Sequence, residues 1–304
     1  MQRHRKLKPR LILGAALALL LGSAQAESLR FCDRSGELSA RQQDRLLRFA
    51  AVVKQELDAS GDEVALVARS GLNLARFGLR YSHAGVSLKA SANGPWSVRQ
   101  LYYACDEGRP RLYDQGMGGF LSGTDDPVLG YAAIVLLPRA EGRALAHAAL
   151  DRPRLGQLLA ARYSANAYVW SLHYQNCNQW VVELLAAAWG GLAAGPELRA
   201  EAQRWLAAHG YAPPPVAVGS HLLMFAAGFV PWLRFEDHPE DDRFALQFRT
   251  SVPESIEGFV RARLPGAQRI ELCHDERHIV VHRGWTPIAE GCRPGPGDRV
   301  IALD

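Results

Sequence analysis

Nothing in this 304-residue chain is apolar for long enough to cross a bilayer. Its two longest apolar runs, Leu11 to Leu21 and His221 to Leu233, fall short of the roughly 20 residues a spanning helix needs, and Gly228 and Pro231 interrupt the second. A sustained charge of one sign is also missing. The 35 Lys+Arg face 31 Asp+Glu, but Arg3, Arg5, Lys6, Lys8 and Arg10 all precede the first apolar run. Beyond residue 26 the balance is therefore 30 to 31, a net charge of −1, which removes the electrostatic footprint of a nucleic-acid partner. No internal repeat and no low-complexity tract is present, so neither a stacked-repeat architecture nor a disordered chain is indicated.

What the N-terminus does have is the three-part pattern of an export signal: the basic stretch, the apolar run, and Ala24-Gln25-Ala26 as a small-x-small cleavage site. The expectation is cleavage near Ala26 and residence in the periplasm or outside the cell. Cysteine is scarce, and all five residues, Cys32, Cys105, Cys177, Cys273 and Cys292, follow that segment. In an oxidising compartment they tend to pair, and an odd number leaves one over. We expect Cys32–Cys105 and Cys273–Cys292 bridges, with Cys177 free.

Hydrophobic spacing predicts an α+β chain. Leu38 to Leu57 has helical periodicity behind Ser39 as a cap, Glu63 to Arg69 is a short apolar run, and Tyr81 to Lys89 alternates as a strand. Strands are expected at Leu101 to Cys105, Arg111 to Gln115 and Val128 to Leu137. Helices are expected at Arg143 to Leu150, Leu155 to Tyr163 and Asn176 to Trp189, the last ended by Gly190-Gly191. The organisation read from this is a signal peptide over 1–26, a helical lead-in over 27–59, a main domain over 60–210, a Pro-rich and apolar connector over 211–243, and a small C-terminal α+β unit over 244–304. We expect His221 to Leu233 to be a buried core segment; the alternative is an apolar wall for a lipid-like substrate, with peripheral membrane contact.

The sharpest chemical feature is Tyr174-Gln175-Asn176-Cys177-Asn178-Gln179-Trp180, which puts a cysteine in the first turn of a helix behind Asn176 as N-cap. Free amides and the helix dipole there stabilise a thiolate, which predicts a lowered thiol pKa and a nucleophile. The best base is His83 in Arg80-Tyr81-Ser82-His83-Ala84-Gly85-Val86-Ser87-Leu88. Alternation sends Ala84, Val86 and Leu88 to the core and His83 to the other face beside Gly85. His173 is a rival base.

Gly61-Asp62-Glu63-Val64 and Tyr81-Ser82-His83-Ala84-Gly85-Val86, followed by a later cysteine at a helix start, resemble the circularly permuted branch of the NlpC/P60 papain-like superfamily, in which the histidine strand precedes the cysteine helix. The part of the chain beyond the signal is also similar to an exported bacterial family catalogued as domain of unknown function 2145. The superfamily resemblance covers roughly Asp62 to Gly190. It implies a circularly permuted papain-like fold and a Cys177–His83 hydrolase or acyltransferase working through a thioester on a cell-envelope peptide, protein or lipid, without cofactor. A third polar residue orients the imidazole in such proteins. Gln115 is preferred here, with Asp114 as alternative, since Tyr113 shares the face of Gln115. Tyr81, Asn178 and Gln179 are candidates for substrate binding. A competing non-enzymatic reading is an exported binding or scaffold protein on the same fold.

A metal site is the alternative at the C-terminal end: Cys273, His278 and His282 could hold zinc. The proximity of Cys292 favours a disulfide at Cys273, and no metal is expected.

Overall fold

Ser39 opens the first helix, α1 (Ala40–Ser60), through a capping box: its hydroxyl accepts from the Gln42 amide at 3.3 Å, while Gln42 Oε1 accepts from the Ser39 amide at 2.9 Å. Gly61, at φ 77°, ends it in the left-handed conformation that glycine adopts without strain. The computed structural model describes residues 38–303; residues 1–26, the expected export signal, and Cys32 lie outside them.

The β-rich patterning yields β1 (Val64–Arg69), β2 (His83–Leu88), β3 (Ser97–Ala104), β4 (Arg109–Gln115) and β5 (Gly130–Leu136), with a short helix α2 (Met117–Ser122) before β5. Then come α3 (Arg139–Leu150), α4 (Arg152–Leu158), α5 (Cys177–Trp189) and α6 (Leu198–Ala208). A two-stranded pair, β6 (Val216–Ala217) with β7 (Gln247–Phe248), brackets α7 (His221–Ala227) and α8 (Glu240–Ala245). The chain closes with α9 (Pro253–Arg263), β8 (Gln268–His274), β9 (His278–Arg283) and β10 (Arg299–Ala302).

Eight strands form one antiparallel sheet in the order β10-β9-β8-β5-β1-β2-β3-β4. Both faces are covered, which is why β1 and β5 are buried along their whole length. Val64, Leu66 and Ala68, with Ala84, Val86 and Leu88, pack under α3, α5, α6 and α9. Ala65, Val67, Val98 and Ile134 instead meet α1 and α2 through Phe49, Val53, Leu57 and Phe120. The C-terminal stretch has the expected α+β content, and its strands continue the main sheet, because β8 pairs with β5 from Gly130↔His274 to Leu136↔Gln268.

The Cys273–Cys292 bridge is formed and Cys177 is free. Cys105 is also disulfide-bonded; the Cys32 half of the expected Cys32–Cys105 pair lies outside the described residues. The expectation of a buried segment at His221 to Leu233 is overturned. None of α7 is buried, and Leu222, Phe225 and Phe229 are 77%, 67% and 75% exposed. This excursion hangs from a two-residue strand pair and joins neither core cluster, so no layer covers its apolar side chains. Among the described residues no helix is long and apolar enough to cross a membrane.

Candidate thiol site at the end of the central strands

Asn176 fixes the start of α5. Its Oδ1 accepts from the Gln179 amide at 2.7 Å, and its Nδ2 donates to Thr250 Oγ1, Ser251 O and Ala165 O at 2.9, 3.0 and 3.2 Å. The cap is thus tied to two other segments, at Ala165 and at Thr250-Ser251, as well as to its own helix. One residue on, Asn178 docks α5 on β2: its Oδ1 accepts from Ala84 N at 3.0 Å and its Nδ2 donates to Ser82 O at 3.3 Å. These two peptide groups flank His83. Cys177 Sγ points at the same Ser82 carbonyl, 4.0 Å away.

His83 leaves β2 on the face opposite Ala84 and Val86, where its ring sits 5.7 Å from Tyr102 and 6.0 Å from Phe120. It is 6% exposed, and its Nε2 is buried without a hydrogen-bond partner. Gln100, on β3, lies beside the imidazole with a buried, unpartnered Oε1, while its Nε2 donates to Gln115 Oε1 at 2.7 Å. Gly85 leaves the room for this contact, since a Cβ there would stand 2.5 Å from Val98 Cγ1 and 3.0 Å from Arg99 O. Directly across the β1–β2 ladder from His83 is Arg69, also 6% exposed. Its guanidinium donates to Gly123 O and lies 5.4 Å from the centre of the Phe120 ring.

Burial dominates the electrostatics. It pushes the Cys177 thiol up to about 11, against the lowering influence of Arg69, of the Asn178 and Cys177 amides, and of the Tyr163 hydroxyl that hydrogen-bonds the sulfur. The helix start does act in the expected direction, but desolvation outweighs it, so the expected low thiol pKa is corrected. Burial and then the Arg69 charge bring His83 down to about 3, with Gln100 working the other way. At neutral pH the closed site therefore holds a thiol and a neutral imidazole.

The other expected residues sort clearly. Gln115 lies on the side of Gln100 and supports it, whereas Asp114 is engaged in a salt bridge with Arg99. The glutamine beside His83 is Gln100. Tyr81 and Asn178 do not offer free groups to a substrate, whereas Gln179 keeps a buried Oε1 without a partner. Tyr81 is buried, with its hydroxyl donating to Glu271 and accepting from Arg269 at 3.2 Å. Asn178 is spent on β2, and Gln179 donates to Val169 O and Ser171 O at 3.1 and 3.3 Å. His173 is on the surface beside Arg162, 2.9 Å away. The zinc alternative loses its sulfur to the Cys273–Cys292 bridge, while His282 Nδ1 meets Asp298 at 2.7 Å.

Sequence reasoning missed Arg69, Gln100 and Tyr163. The signal for Gln100 was available, since it shares the alternation of Val98 on the strand next to β2. Arg69 read as the charged end of an apolar strand, and Tyr163 read as the last residue of a helix over Leu155 to Tyr163, whereas that helix ends at Leu158 and leaves Tyr163 outside it.

A family model described as "Uncharacterized protein conserved in bacteria (DUF2145)" matches residues 56–260. The chain belongs to this family. The matched span runs from the end of α1 into α9 and contains Arg69, His83, Gln100, Tyr163 and Cys177. No curated protein and no solved structure matches the chain.

Proposed function

We propose that this member of the DUF2145 family is an exported, thiol-dependent hydrolase or acyltransferase. In this reading it acts on an amide or ester bond of the cell envelope, in a peptidoglycan peptide, a protein or a lipid, on a circularly permuted papain-like framework. The observation that carries it is the docking of the first turn of α5 on the two peptide groups around His83 through Asn178. That contact leaves an unpaired thiol beside the Ser82 carbonyl at the start of β2, next in sequence to His83, whose Nε2 is unpartnered and whose ring leaves the strand on the opposite face.

The chemistry follows from those groups. Cys177 sulfur bonds to the substrate carbonyl carbon as His83 Nε2 takes the thiol proton, and the carbonyl π electrons move onto oxygen. Amides of the first turn of α5, including that of Cys177, face this oxyanion. His83 returns the proton to the leaving amine or alcohol as its bond to carbon breaks, leaving a thioester. Water or another acceptor, deprotonated by His83, then releases the acyl group. Gln100 Oε1 would hold the imidazole by its remaining N–H, which selects the tautomer without adding charge. Because Cys177 is 5% exposed, turnover requires the site to open, and Tyr163 over the sulfur is the side chain that must move.

Release of p-nitrophenol from acyl esters of short and long chain tests this reading. Cys177→Ser and His83→Ala should each lower the rate by at least about 100-fold. The double variant should be within roughly threefold of the worse single one, because residues that act as a unit are not additive. Turnover independent of Cys177 would sink it. The second reading, a non-catalytic exported binding or scaffold protein, is favoured by the closure and neutrality of the site; it requires that Cys177→Ser leave every measured activity unchanged.

A further inference from the structure

Arg69 is a buried cation without a matching anion. Among the described residues no carboxylate comes within ion-pair distance of it, and Asp125 acts on its charge only as the weakest of three long-range influences, after Tyr102 and Cys177. Burying a guanidinium this way is unfavourable unless hydrogen bonds or a negative group compensate it. The hydrogen bonds are incomplete: Nη1 donates to Gly123 O and, at 3.5 Å, to Ser70 O, while Nε has no partner.

The fold nevertheless reserves space for this group. A Cβ at Gly71 would stand 2.3 Å from Arg69 Nη1, and one at Gly123 would stand 2.6 Å from Nη2. The Phe120 ring packs against the guanidinium from a third direction. Two glycines and an aromatic face thus hold a permanent charge opposite His83 in the β1–β2 register and beside Ser82, whose hydroxyl borders the same Gly71 space and whose carbonyl is 4.0 Å from Cys177 Sγ.

We propose that Arg69 is the fixed counter-charge of the Cys177 thiolate and of the oxyanion formed on attack, so that the nucleophile is stabilised by a guanidinium and not by an imidazolium. This rests on Cys177 being the nucleophile. His83 stays neutral until it receives the thiol proton, because a second positive charge beside Arg69 is disfavoured. The arrangement divides two jobs that a thiolate–imidazolium pair combines: Arg69 supplies charge and His83 moves the proton.

The titratable groups acting on the sulfur are Arg69 from β1 and Tyr163 from the loop before α5, while Tyr102 from β3 acts on both of these and its ring lies 5.7 Å from that of His83 on β2. Their separate effects can be read from the pH dependence of Cys177 alkylation by iodoacetamide, located by peptide mass, with thermal melts confirming the fold. Arg69→Met should move the midpoint upward by about one unit or more, a tenfold loss of labelling rate below it. His83→Asn should leave the midpoint in place or lower it slightly, since a neutral ring contributes no charge. If Arg69→Met does not fold, Gly123→Ala serves instead, because its new Cβ must displace the guanidinium, and the same upward shift is expected.

An unchanged midpoint in the Arg69 or Gly123 variant, or a larger upward shift in His83→Asn, overturns the assignment. Either result leaves the thiol reading intact, because that reading is tested separately by the loss of ester turnover in Cys177→Ser.

Discussion

At the scale of single residues, three buried histidines, His83, His238 and His274, each held below the ordinary imidazole value by burial, make the protein sensitive to acid. Burial lowers His83 to about 3 and His274 to about 4 from an ordinary value near 6.5. The unfolded chain therefore binds more protons than the folded one between those values. Stability should be fully present above about pH 6.5 and fall as the pH drops through that window, by up to about 1.4 kcal/mol per pH unit for each histidine. Urea denaturation between pH 7 and pH 4 measures this, and His83→Asn should flatten the slope. A slope unaffected by that substitution would contradict the neutral, buried imidazole. Gly85→Ala is a second residue-scale test. Its Cβ would press on Val98 and on the Arg99 carbonyl, so a loss of about 1–3 kcal/mol is expected from overpacking, read as a lowered melting temperature.

At the scale of elements, the site depends on how α5 meets β2. Asn178→Ala would leave the Ala84 amide and the Ser82 carbonyl without their buried partners, a destabilisation of about 2–3 kcal/mol. Turnover should fall further than stability, because the same contact holds the thiol-bearing turn of α5 against the start of β2. Asn178→Asp, which keeps the acceptor for Ala84 and loses the donor to Ser82, should be intermediate. Both elements were legible in advance, α5 from its N-cap and apolar face and β2 from its alternation. The docking between them was not legible, because side-chain to backbone bonds across 94 to 96 residues leave no periodic trace. For the same reason Asn178, a polar residue in a helix start, read as a substrate ligand when both of its amide atoms are engaged by backbone groups. Gln100 was obscured differently: the turn at Gly116 drew attention to Gln115, one strand beyond the position next to His83.

At the scale of the whole molecule, the sheet is one object from β10 to β4, and the C-terminal strands brace the β5–β1 centre on which the site stands. The Cys273–Cys292 bridge ties β8 to the loop before β10 across a separation of 19 residues. Its reduction should cost about 3 kcal/mol on the chain-entropy model, seen as a lower melting temperature with reductant. Sequence spacing anticipated this bridge because oxidising export and close cysteines point the same way. It misplaced the apolar excursion around α7, since hydrophobicity reports that a segment prefers cover but not whether the fold supplies it. Phe225→Ser and Leu222→Ser should therefore change stability by less than about 0.5 kcal/mol, as at exposed positions generally. The central claim is that Cys177 carries the acyl group. Rapid-quench intact mass with a p-nitrophenyl acyl ester tests it most directly: one hydroxylamine-labile acyl adduct should map to Cys177, form more slowly in His83→Ala and be absent in Cys177→Ala. No adduct on the wild-type chain, or an adduct elsewhere with Cys177 unmodified, would contradict the account.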